Sequence, residues 1–309
     1  MRTPSEFQAY FETELKSQLQ PLEEYRKKGI RVFKRIQYLA VGMCLVFLFC
    51  LFTGQIMAFV LCFISIAFAE GFAFESVTKT NLHLRKEYKI KILPEILKFI
   101  NPDFEYIPKQ KISKSVFDKS LLFPHEINFV DGEDFMRFNF ENTDIMFCEA
   151  EVFGYGPVAK MFDGIFISSS FNKTFGSKTF IFPKKTTSFF RKIRFKILGS
   201  SYIVSLEDPE FEKEFIVLSE DQVESRYILT SSLMQRILEY KRKLKAELAF
   251  SFISKRLYCT IPNSKNLFEP ALFDSFMDFE FIRKSYEPII LYSGIVNDLN
   301  LNLRIWSKQ

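Results

Sequence analysis

The chain has 309 residues, 48% of them hydrophobic, with 42 Lys and Arg against 37 Asp and Glu. Its net charge of +5 lies wholly before residue 92, and positions 92–309 are balanced, which argues against a nucleic-acid-binding domain. Five Cys, three of them inside one apolar run, form neither a disulfide framework nor a zinc spacing, in keeping with a reducing, cytoplasmic setting for the large domain.

Residues 1–35 read as an amphipathic juxtamembrane segment. Phe7, Phe11, Leu15 and Leu19 recur every four residues, and Pro21 is expected to open a second helix at its first turn. From Ile36 to Ala69 there is no charged side chain, a run of 34 residues between Arg35 and Glu70. One helix of that length would be about 50 Å long, against a hydrocarbon core of about 30 Å. The run is therefore expected to fold as a transmembrane helical hairpin over 36–74, with helices at 36–52 and 56–74 and a turn at Thr53-Gly54-Gln55. Six Lys or Arg lie between Arg26 and Arg35, and five between Lys79 and Lys91. Basic flanks on both sides place both termini in the cytoplasm. The run starts too late and is too long for a cleaved signal peptide. The second helix is expected to continue as a stalk over 75–100, restarting or kinking at Pro94 and ending at Asn101-Pro102.

Over 101–309 the period changes. Strands are predicted at 136–140, 145–152, 161–167 with a break at Gly164, 179–182, 195–198, 201–206, 215–218, 248–253 and 257–261. Helices are predicted from Thr230 or Ser231 to Leu244, from Pro270 to Phe279 and from Pro288 to Leu299. Irregular alternation of the two implies an α+β domain with a mixed, mainly antiparallel sheet.

Few groups suggest chemistry. Asp131-Gly132-Glu133-Asp134 offers oxygen ligands to a hard cation, but it lacks EF-hand spacing, and a polar turn before a strand explains it as well. Lys184, Lys185, Arg191, Lys192 and Arg194 are interleaved with Phe189 and Phe190. That run could touch anionic lipid, or be neutralised by the acidic stretch 207–224. The two His, His83 and His125, come with no nucleophile-elbow pattern, and no Gly-rich phosphate loop is present. No cofactor is expected. The excess of Phe, 39 residues, reads either as a lipid-contacting domain or as codon bias.

The most distinctive stretch runs Leu206-Glu207-Asp208-Pro209-Glu210-Phe211, through Phe215 and Asp221, to Glu224-Ser225-Arg226-Tyr227-Ile228-Leu229-Thr230. It resembles the signature of an uncharacterised bacterial membrane-protein family, domain of unknown function 3137. Phe162-Asp163-Gly164, Phe171-Asn172-Lys173 and Thr179 to Pro183 are similar to that family's central strands. Gly132-Glu133-Asp134 is similar to an upstream turn, and Leu299 to Trp306 to the C-terminal end. The resemblance extends to the basic helix before paired membrane segments. It implies architecture and a bacterial inner membrane, and no activity, cofactor or catalytic residue. Association with small LemA-type membrane proteins is a further implication.

The residues themselves read structurally. Asp208 or Glu207 begins a short helix with Pro209 in its first turn, Phe211 and Phe215 share a face, and Asp221 or Glu224 is expected to hold Arg226. Three readings of function follow. The first is a membrane-anchored, non-enzymatic protein whose cytoplasmic domain binds a protein partner or organises an assembly. The others are a lipid-handling protein and a membrane-bound hydrolase using carboxylates or His125.

Overall fold

The computed structural model describes residues 3–53, 56–123, 125–140, 143–156, 160–170, 176–184, 202–263, 267–295 and 299. The predicted turn residues Gly54 and Gln55 lie outside these. The chain divides into two compact units, Met1–Ile100 with Leu267–Tyr286, and Asn101–Asn266 with Glu287–Gln309. Residues 267–286, assigned from the sequence to a single 101–309 domain, thus belong with the N-terminal helices.

The helical unit begins with α1 (Pro4–Tyr10), capped by Thr3 and Glu6 in a reciprocal capping box. A π turn over Phe11–Leu15 leads into α2 (Lys16–Phe52). Then α3 (Ile56–Glu87), a second π turn (Tyr88–Ile92) and α4 (Leu93–Ile100) follow. Both π turns have one cause. Phe7, Phe11, Leu15 and Leu19 form a buried stripe of period four, as do Leu84, Tyr88, Ile92, Ile96 and Ile100. A period of four overshoots the ~3.6 residues of an α-helical turn, and a wider turn brings the stripe back into line. Pro21 does not start a helix; α2 runs through it. Pro21 and Ser17 are both exposed, so water can satisfy the Ser17 carbonyl that proline leaves unbonded.

α2 and α3 run antiparallel, with Gln37 beside Glu70, Gly29 beside Thr80 and Tyr25 beside His83. Residues 267–278 are turns, where a helix from Pro270 to Phe279 was predicted. Helix α9 (Phe279–Ser293) begins only after them and contains Pro288, so that residue does not open a helix. The Phe7 ring stacks on Tyr286 at 3.9 Å, and the Tyr88 hydroxyl donates to Ser285 Oγ at 2.8 Å.

The second unit is built on nine strands: β1 (Glu105–Ile107), β2 (Ile127–Phe140), β3 (Thr143–Gly154), β4 (Lys160–Ser170), β5 (Thr179–Pro183), β6 (Tyr202–Val204), β7 (Phe215–Ser219), β8 (Ala249–Ile253) and β9 (Arg256–Pro262). They form one sheet in the order β1-β2-β3-β4-β9-β8-β5-β7-β6. Every described pairing is antiparallel, so the sheet is not mixed. Helices α5 (Lys114–Ser120), α6 (Pro209–Glu214), α7 (Gln222–Ile228) and α8 (Ser231–Leu244) complete the described elements. Phe117, Phe123, Phe166 and Phe180 fill one side of the sheet, and Phe147 meets Tyr292 on the other. The sheet is thus covered on both faces, and β5 is buried along its whole length.

Gly164 does not break β4. It pairs with Ala150 on one side and Pro262 on the other, and Ala150 pairs with Gly132. At Gly164 (φ 154°) an added Cβ would lie 2.2 Å from the Ile261 carbonyl oxygen, and at Gly132 2.3 Å from that of Glu149. The two glycines stand in one row across three strands where only a hydrogen fits.

Candidate functional site

The apolar surface of the helical unit is the first candidate. Along α2, Tyr38 is 73% exposed and Phe52 92%, with Leu45, Val46, Leu48 and Phe49 also bare. Along α3, Val60, Phe63, Ile64, Phe68, Phe72 and Phe74 are exposed. Among the described residues one helix, over Pro4–Phe49, is long and apolar enough to cross a membrane. Its most apolar 18-residue window has a mean hydropathy of 1.6 and is 6% buried. A core helix of a soluble protein would be mostly covered over such a window.

The Leu206–Thr230 stretch is the second. Asp208 caps α6 by accepting from the amides of Glu210 and Phe211, and Gln235 donates to its other oxygen at 2.6 Å. The Phe211 amide holds the Asp208 carboxyl below its ordinary pKa, aided by Gln235 and the Glu210 amide against the effect of burial. Glu212 accepts from the Leu206 amide and the Ser205 hydroxyl. Asp221 caps α7. Glu224 accepts from the amides of Gly176 and Ser177 at 2.8 and 2.7 Å. Neither Asp221 nor Glu224 therefore holds Arg226, which is exposed and donates to the Ser205 carbonyl at 3.4 Å. Phe211 and Phe215 are buried, their ring centroids 4.9 Å apart, and Tyr227 is exposed. Glu207 is exposed, just before the capping Asp208. With Glu220, which accepts from the Lys178 amide, five of the carboxylates in this stretch are held by backbone amides.

The third candidate is the acidic patch. Asp131 to Asp134 is not a turn but part of β2, with a bulge between Glu133 and Met136. Cross-strand pairing sets Asp131 beside Glu151 and Glu151 beside Asp163, and sets Glu133 beside Glu149. These acids and Gly132 line a cleft of about 320 Å³. Oxygens of Glu133, Asp134 and Glu149 lie within 4.8 Å of one another. Glu149 is the member that linear spacing could not supply, because strand register brings it in. Asp134 takes a left-handed conformation (φ 56°) that turns its carboxylate inward, where it accepts from the Tyr106 hydroxyl at 2.6 Å. Burial and then the Asp134 charge push that hydroxyl's pKa far up. Lys160 bridges Glu151 and Asp163 at 2.8 and 2.7 Å. With these partners in place the unit is expected to need no metal. A chelator should leave the melting temperature of the full chain in detergent unchanged. A fall of several degrees would make the three carboxylates a cation site.

The remaining groups are dispersed. Cys148 and Cys259 are buried, and burial pushes the Cys148 thiol up to about 12 and Cys259 well above its ordinary value, so neither is a ready thiolate. His125 is exposed. Lys184 donates to the Glu212 carbonyl at 2.8 Å. Lys185, Arg191, Lys192 and Arg194 lie outside the described residues, as do Asn172, Trp306 and the strand predicted at 195–198. The acids between 207 and 224 instead meet Lys178, Lys241 and Arg242, in the pairs Glu220–Lys178, Glu214–Lys241 and Glu210–Arg242.

Residues 160–301 match the family described as a protein of unknown function, DUF3137. The match takes in Gly164, Asn172 and all of Leu206–Thr230. It leaves out the N-terminal helices, the Gly132–Asp134 segment of β2 and Trp306. No curated protein matches the chain. Among solved structures, the crystal structure of the mycobacterial trehalose monomycolate transport factor A, TtfA, is similar at a TM-score of 0.36 and 8% identity. That alignment covers 66% of this chain and 96% of the other, and nothing about this chain rests on so distant a likeness. Residues 160–301 of the chain are a DUF3137 domain, of a protein family whose function is unknown.

Proposed function

We propose that the protein is anchored in a bacterial inner membrane by α2 and α3 crossing as a hairpin, with both termini in the cytoplasm. The sheet unit then acts without catalysis, binding a protein partner or organising an assembly at the membrane face. The exposed apolar surface of the two antiparallel helices, uncharged from Ile36 to Ala69, carries this reading. In water that surface would be costly; in acyl chains it needs no cover. The flanking Lys and Arg favour the inside for both ends. The binding role is supported by the buried thiols and by the signature carboxylates held on backbone amides.

Carbonate washing should leave the protein in the membrane pellet. Protease added to intact spheroplasts should spare everything after Phe74. Digestion of that region from outside would reject the topology. Crosslinking in membranes, followed by capture in mild detergent, should recover a defined protein, a LemA-type membrane protein being one to look for. Capture of the chain alone would reject the partner-binding role.

A further inference from the structure

Residues 267–278, though more than 200 positions from α2 in sequence, are pinned to its lower end. The Leu272 amide donates to Asn81 Oδ1 at 2.7 Å, and its carbonyl accepts from Arg26 Nη1 at 3.0 Å. The Leu272 side chain fills the space beside Gly29, 3.0 Å from where a Cβ would stand. The Phe276 amide donates to the Glu23 carboxylate at 3.1 Å.

So fixed, the loop holds out Phe273. Its ring is 67% exposed, and its one described ring contact is edge-on with Phe33, at 5.9 Å between centroids. Phe33 lies three residues before Ile36, where the uncharged run begins. On the same stretch of α2, Lys28, Arg31, Lys34 and Arg35 are exposed. None of the four has a carboxylate partner among the described residues, whereas Lys79 across the pair is bound to Glu75. An exposed aromatic ring on the Phe33 side of α2, at the level where unneutralised cations occupy the helix's other faces and just before its apolar segment, matches the chemistry of the headgroup layer.

We infer that the 267–278 loop is a second membrane contact, in which Phe273 sits among anionic phospholipid headgroups whose phosphates are held by Lys28, Arg31, Lys34 and Arg35. This rests on the membrane reading above. It adds that the C-terminal third of the chain touches the bilayer, which ties the helical unit to the surface at a second place.

The test uses the full chain with Trp306→Phe, reconstituted into bilayers containing phosphatidylglycerol. In that background the Phe273→Trp indole should be quenched by lipids brominated near the headgroup and be shielded from aqueous iodide. Replacing the four cations with Gln should cut the lipid quenching, as should omitting phosphatidylglycerol. Inorganic phosphate should leave it unchanged; loss of quenching on adding phosphate would mean the cations take a free anion, and would overturn the inference. Full iodide quenching without lipid quenching would overturn it. Shielding from both quenchers would mean that a protein covers the ring, and would overturn it too. Val46→Trp in the same background separates the two failures. If that indole is quenched from the acyl chains while the Phe273→Trp indole is not, the span stands and the loop contact falls. If neither is quenched, the membrane reading itself fails.

Discussion

Phe211→Ala and Phe215→Ala should each destabilise the protein by about 3–5 kcal/mol, the usual loss when a buried Phe is truncated. Phe211 is fully buried, Phe215 nearly so, and the Lys241 ammonium lies 5.1 Å from the Phe215 ring centroid. Because the two rings touch, the double variant should lose less than the sum of the singles. Arg226→Ala should stay within about 0.5 kcal/mol, since that side chain is exposed and makes one long hydrogen bond to a carbonyl. Thermal unfolding of the full chain in detergent reads all of these. Domains hold only about 5–15 kcal/mol in reserve, so both Phe variants should also lower abundance in the cell. The opposite pattern would place function in this stretch: unchanged melting for Phe211→Ala, with loss of partner capture for Arg226→Ala.

Local chemistry was legible in the sequence; long-range register was not. Thr230 marked the start of α8, Asp208 with Pro209 marked α6, alternating residues marked β2, and short apolar runs marked β5 and β7. Each of those signals acts within a few residues. The acidic patch needed Glu149 from the next strand and a left-handed Asp134, and neither follows from spacing along the chain. Gly164 looked like a strand break because glycine is rare within strands. Its reason is the carbonyl of Ile261, nearly 100 positions away. Strand direction was also hidden, because loop lengths alone do not fix which strands become neighbours. The sequence predicts a helix from Pro270 to Phe279, where the chain makes turns up to residue 278. Their backbone instead follows groups on α2 and α3, namely Glu23, Arg26 and Asn81.

Glu23 should be the residue whose loss most loosens that loop. It is 1% exposed and receives two hydrogen bonds from Arg26, at 2.8 and 2.7 Å, besides the one from the Phe276 amide. Glu23→Ala would leave the Arg26 guanidinium buried with one carbonyl for a partner, a change that costs about 3–5 kcal/mol in comparable pairs. Replacing both, Glu23→Leu with Arg26→Met, should recover part of that loss, because a buried ion pair exchanged for apolar packing is often neutral. Acid should mimic the single variant. Burial alone would raise the Glu23 carboxyl; the hydrogen bonds from Arg26 and the Phe276 amide, and the charges of Arg26 and Lys27, outweigh it and hold the carboxyl below its ordinary value. A depressed carboxyl contributes stability that is fully present above the ordinary value and disappears as pH falls through the folded one. Hydrogen exchange of the Phe276 amide measures this directly. Its protection should be high at neutral pH, fall as the carboxyl is protonated, and be lost at all pH values in Glu23→Ala. Equal protection in that variant would show that apolar packing of Leu272 and Phe276, rather than the ion pair, holds the loop against the helices.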